Sequence, residues 1–160
     1  MLTRRELLAA IPAISAAAQQ ARSSATFAFL STDEAADIEA MAAEIIPTDD
    51  MPGAREAGVI WFIDGALAGY HRDMRPVIRQ GLTDLRAKAG GKFTSLDAAR
   101  KVELLKSIET TEFFTDVRTL TVMGFLANPE YGGNRDHVGW KVIGFNHAHV
   151  HRAPFGAYDR

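Results

Sequence analysis

The sequence predicts an all-α protein: a compact bundle of about five helices, then a glycine-rich C-terminal loop and a short docking segment. Three observations lead there. Apolar residues recur at i, i+3, i+4 and i+7 in successive stretches, the pattern of helices with one buried face. Those stretches are bounded by capping residues, glycines and prolines. Few segments alternate apolar and polar residues with period two, so strand content should be low. The 160 residues suit one domain or slightly more, and 47% hydrophobic content is enough to fill a core.

The chain opens MLTRRELLAAIPAISAAAQQARSSA. Arg4 and Arg5 form a positive start, and an Ala-rich apolar stretch follows over residues 7–18. Ser23, Ser24 and Ala25 then fit the small-x-small cleavage rule. Twelve moderately apolar residues fall short of the ~20 that span a bilayer. The pair of arginines before leucines resembles a twin-arginine export signal, a receptor-read address rather than an anchor. The other reading is an amphipathic N-terminal helix of a cytoplasmic protein. Residues 1–25 are therefore expected to be a twin-arginine-type signal, and the body to be periplasmic.

The helices follow in order. Ser31, Thr32, Asp33 and Glu34 spell a capping box. Ile38, Met41, Ala42 and Ile45 form the stripe behind it, and Pro47 stops the helix. A second helix is expected after Pro52, with Val59, Phe62, Ile63, Ala66 and Leu67 on one face and Gly69 closing it. The third follows Pro76, with Ile78, Leu82, Leu85 and Ala89, and ends at Gly90-Gly91. Thr94 is read as the cap of a fourth, with Phe93 as its staple and Ala99, Val102, Leu105 and Ile108 inward. The fifth runs from about Glu112 to Ala127 through Phe113, Val117, Leu120 and Gly124. Residues 130–137 (EYGGNRDH) read as a polar loop, and residues 140–145 (WKVIGF) as a segment that docks on the bundle.

Composition excludes several function classes. There is no cysteine, so no disulfide, thiol nucleophile, iron–sulfur ligation, C-x-x-C-H haem attachment or cysteine zinc site. Charge is nearly balanced, 18 Lys+Arg against 20 Asp+Glu, with no basic cluster for nucleic acid. Dinucleotide, P-loop, metalloprotease and nucleophile-elbow motifs are absent. No later stretch is long and apolar enough for a membrane span.

Three segments, in this order behind the signal, resemble the small subunit (subunit 3, or gamma) of the gluconate 2-dehydrogenase family. They are residues 45–54 (IIPTDDMPGA), 128–134 (NPEYGGN) and 139–145 (GWKVIGF), and the resemblance covers roughly residues 33–146. It implies a helical small-subunit domain over residues 26–146 that performs no catalysis by itself. Such subunits pair with a large flavoprotein that holds FAD and oxidises gluconate or another sugar. The small subunit's signal exports both, and a membrane-anchored multihaem cytochrome c commonly takes the electrons. The complex would then lie at the periplasmic side of the inner membrane. On this reading the chain holds no cofactor and no catalytic residue, and Pro47, Asp50, Pro52, Gly53, Ala54, Tyr131, Gly132, Gly133, Asn134, Trp140 and Gly144 are family-motif or interface candidates.

The residues also permit other readings. Gly132 and Gly133 could form an anion-binding nest, or a tight turn in which Asn134 bonds the backbone and Tyr131 packs beneath. Asp49 and Asp50 could act as an acid/base pair or hold a cation, although adjacent carboxylates diverge. His71-Arg72-Asp73 is similar to a kinase catalytic loop but lacks its asparagine, and reads as a polar interhelix loop. Adjacent aromatics such as Trp61-Phe62 and Phe113-Phe114 lie about 100° apart on a helix, so one of each pair is expected at the rim of the core as an interface anchor. The tail, residues 147–160, carries His147, His149 and His151, which in an extended segment could bind zinc, copper or nickel. His137 is a conceivable fourth ligand. A small periplasmic metal-binding module is thus the alternative function.

Overall fold

Ser31 starts the first helix as the sequence predicts. Its hydroxyl accepts from the Glu34 amide at 3.3 Å, and the Glu34 carboxylate accepts from the Ser31 amide at 2.8 Å, which satisfies two N-terminal donors reciprocally. The computed structural model describes residues 26–145. The expected signal, with Arg4 and Arg5, and the tail histidines His147, His149 and His151 lie outside the described residues. Within them the protein is all-α, with six helices and no strands. These are α1 (Thr32–Ile45), α2 (Val59–Ala68), α3 (Arg75–Ala89), α4 (Ala98–Ile108), α5 (Glu112–Leu126) and the short α6 (Val138–Val142).

Helix α5 is the centre of the packing and touches α1, α2 and α3, while α1 also lies on α2 and α4. The predicted stripes supply the core. Ile38, Met41, Ile63, Leu67, Ile78, Val117 and Leu120 are all fully buried. Each such side chain contributes ~1.5–3 kcal/mol relative to leaving it in water. Gly90, left-handed at φ 69°, ends α3 with its amide on the Ala87 and Arg86 carbonyls.

Several boundaries differ from expectation. Helix α2 begins at Val59 rather than just after Pro52, because residues 54–58 form turns that end at left-handed Gly58. Helix α3 takes in Arg75 and carries Pro76 in its first turn, where the missing N–H has no partner to lose. Thr94 does not cap α4. Asp97 does, accepting from the Arg100 amide at 2.8 Å. Phe93 and Thr94 instead belong to a single 3-10 turn that buries Phe93 in the core. Val102 is 40% exposed, because α4 is peripheral and only Leu105 and Ile108 reach the core fully. Residues 140–142 of the docking segment wind into α6, which begins at Val138.

Two ion pairs fasten α1 to α3: Arg86 to the fully buried Asp37 at 2.7 Å, and Arg79 to Glu34. Asp37 also accepts from the Thr94 amide. Burial disfavours the Glu34 carboxylate, but the Ser31 amide and hydroxyl and Arg79 outweigh it and hold its pKa below the usual glutamate value.

Candidate functional site

Two structures at one end of the bundle concentrate the residues singled out by the sequence. The first is a clasp, residues 128–145, laid over the C-terminal half of α5 and the start of α2. Asn128 and Pro129 open a 3-10 turn, in which Tyr131 and Gly132 donate to the Asn128 and Pro129 carbonyls. Of the two glycine amides considered for an anion nest, that of Gly132 is therefore engaged within the turn. Gly133 then runs against α5 so closely that a Cβ there would lie 2.1 Å from the Gly124 carbonyl oxygen. Gly139 does the same against Phe125, at 1.9 Å. Only residues without a side chain permit these contacts.

Asn134 is fully buried and bridges the clasp. Its amide donates to the Ala127 carbonyl at 2.8 Å, and its oxygen accepts from the Gly139 amide at 2.9 Å. The Trp140 indole donates to the Leu126 carbonyl at 2.7 Å. The last carbonyls of α5 are thus capped by side chains from the clasp. Asn134, Asp136 and His137 all have left-handed backbone, which costs a non-glycine residue ~1 kcal/mol or more. The bond from the Arg135 amide to the Ala57 carbonyl, 2.9 Å, holds that backbone to the turn before α2.

The second structure is a face beside the clasp. Phe62, Gly65, Ala66, His71, Met123 and Tyr131 line an open groove of about 370 Å³ between α2 and α5, and Tyr70 stands at its edge. Tyr70 is 91% exposed, Tyr131 64% and Met123 41%. Tyr131 is therefore not packed beneath the glycines. Burial pushes the Asp116 carboxyl above its usual range, Glu112 and Asp73 push it further, and His71 offsets them.

The remaining candidates divide clearly. Residues 47–54 form a self-closed loop. The Ala54 amide returns to the Ile46 carbonyl at 2.9 Å, and Glu56 accepts from the Gly53 amide and the Thr48 hydroxyl. Gly53 and Ala54 are buried, whereas Pro47, Asp50 and Pro52 are exposed. Asp49 accepts from the Met51 amide at 2.8 Å, a turn bond rather than an acid/base arrangement. Trp61 and Phe62 are both half-buried, and Phe113 is core while Phe114 is at the rim. Gly144 is exposed and left-handed. The His137 ring stacks on Trp140 at 4.9 Å. Among the described residues no three His, Asp or Glu side chains gather as a metal site.

Asp64 was not foreseen. It is buried in the apolar face of α2 and accepts from three consecutive amides, Ala28, Phe29 and Leu30, at 2.7–2.9 Å. Phe27 stacks on Trp61 at 4.5 Å, and Phe29 lies under Arg75 and Arg79. An aspartate within an apolar helical stripe was the available signal.

Residues 32–146 match the family model described as gluconate 2-dehydrogenase subunit 3. The chain belongs to that family. Membership implies a subunit of the gluconate 2-dehydrogenase complex, and the matched span takes in the three motif segments, the clasp and the groove. No similar chain was found among curated proteins or solved structures. Among the described residues, no helix is long and apolar enough to cross a membrane.

Proposed function

We propose that this chain is the non-catalytic small subunit of an exported, FAD-dependent gluconate 2-dehydrogenase or a related sugar or sugar-acid dehydrogenase. Residues 1–25 direct the complex through the twin-arginine route to the periplasm, and the helical body supports the flavoprotein. FAD and the substrate pocket belong to that partner, and a cytochrome carrying haem c receives the electrons. Family membership motivates the reading, and one structural observation carries it. The buried polar groups Asp37, Asp64, Asn134 and Trp140 are all engaged in holding this chain's own backbone or helices together. That is the economy of a scaffold, and it leaves an exposed aromatic face for a partner.

Co-expression with the large flavoprotein subunit tests it. Wild type should place gluconate:dye oxidoreductase activity in the periplasm. Deleting this chain, or changing Arg4 and Arg5 to Lys, should leave the flavoprotein in the cytoplasm. Unchanged export and activity without this chain would end the reading.

A further inference from the structure

The groove between α2 and α5 has a chemical polarity that specifies its occupant. Helical spacing puts Glu112, Asp116, Thr119 and Met123 on one outward stripe of α5. Met123 is the stripe's apolar end and lines the groove with Phe62 and Ala66. The other end is acidic: Asp116 lies within electrostatic reach of Glu112 and of Asp73, which precedes α3. Among the described residues none of these three carboxylates takes part in an ion pair. The neighbouring cations are engaged elsewhere, since Arg72 and Arg75 donate to the last carbonyls of α2, Leu67 and Ala68. His71 partly offsets the negative charge around Asp116. Beyond Tyr131, at the far end, Glu130 is exposed as well.

We propose that this groove seats an apolar segment of the large dehydrogenase subunit that carries arginine or lysine at its flanks. The inference rests on the small-subunit reading above and adds the face and the chemistry of what it receives. Tyr70 and Tyr131 are the anchors: rigid, amphipathic rings standing well exposed beside an apolar floor, the residue type enriched at interface centres. The segment's apolar side covers Phe62, Ala66 and Met123, and its cations meet Asp73, Glu112 and Asp116. Those carboxylates then trade mutual repulsion for opposite-charge contacts, which steer the encounter and set its orientation. The larger groove among α1, α4 and α5, about 600 Å³, gives no such direction. Its charged lining is balanced, with Glu44 and Glu109 against Lys106 and Arg118.

The test co-expresses the full chain with its large flavoprotein subunit and measures co-purification at two salt concentrations. Tyr70→Ala/Tyr131→Ala should weaken association about tenfold or more. Glu112→Lys/Asp116→Lys should weaken it comparably and abolish its salt sensitivity. Val102→Asp, in the other groove, should leave it unchanged. Tyr70→Ala alone, at a site 91% exposed, guards against loss of folding, with helical circular dichroism as the check. If wild type associates and the groove variants associate equally well, the docking site is wrong while the small-subunit reading stands. If wild type itself does not associate, both fall.

Discussion

The helical body and the clasp are held by different physics. In the body, burial is redundant: Ile38, Ile63, Leu82 and Val117 each meet several neighbours, and any apolar side chain of similar volume fills much of the same space. In the clasp, single atoms decide. Gly133 and Gly139 touch main-chain carbonyls, and Asn134 and Trp140 each serve particular carbonyl groups. The body should therefore forgive conservative changes, and the clasp should not.

The sharpest way to break that contrast is to add one carbon. Gly133→Ala places a Cβ against the Gly124 backbone, which cannot swing aside as a side chain would. The expected loss is ~3 kcal/mol or more by urea unfolding, against ~1 kcal/mol for Ile38→Val in the body. Equal losses would erase the distinction. Asn134→Ala comes next, at ~2–3 kcal/mol, because it strands the Ala127 carbonyl and the Gly139 amide in a buried site. In a Trp61→Phe background, the emission of Trp140 should shift red if the clasp loosens; an unshifted spectrum would mean that Asn134 does not hold it.

Asp64→Asn sharpens the comparison from the other side, since Asp64 is a clasp-like device within the body. It should cost ~2 kcal/mol, as three amides lose a charged acceptor. The readout is Trp61 emission and protease cleavage within residues 26–30, both rising as Phe27 leaves its stack. The smallest effects concern pH. Glu34 has a lowered pKa, so its contribution is full above the ordinary value of 4.5 and is lost as pH falls through the folded value. Glu34→Gln should flatten that acid limb of a stability–pH curve. Asp116 has a raised pKa, so the pH dependence runs the other way: stability is full below the ordinary value of 3.8 and is lost as pH rises through the folded value. Asp116→Asn should therefore raise the stability of the chain alone near neutral pH, by less than ~0.5 kcal/mol, as is usual at partly exposed sites.

Much of the body was legible beforehand. The Ser31 box, the Gly90 stop and the stripes of α1, α2, α3 and α5 are local patterns, and local patterns survive without knowledge of neighbours. The errors arose where two caps competed within a few residues. Thr94 and Asp97 are both good N-cap types, but Thr94 is drawn into the 3-10 turn that buries Phe93, where its amide donates to Asp37, and Asp97 is left to cap α4. Val102 fits the period of α4, but periodicity does not reveal that a helix lies at the margin of the bundle. The motif segments were visible as sequence, yet nothing local showed that Tyr131 points outward while Asn134, three residues later, is sealed inside.

Period and punctuation were enough to establish an all-helical body, its order of elements and most of its buried stripe, because a helix writes its own repeat into the chain. The groove and the two anchoring devices belong to the assembled fold. Asp64 answers amides 34–36 residues upstream, and Gly133 depends on the backbone of a helix that ended before it. Such contacts leave no periodic trace, since the partner's position is set only when the helices have packed.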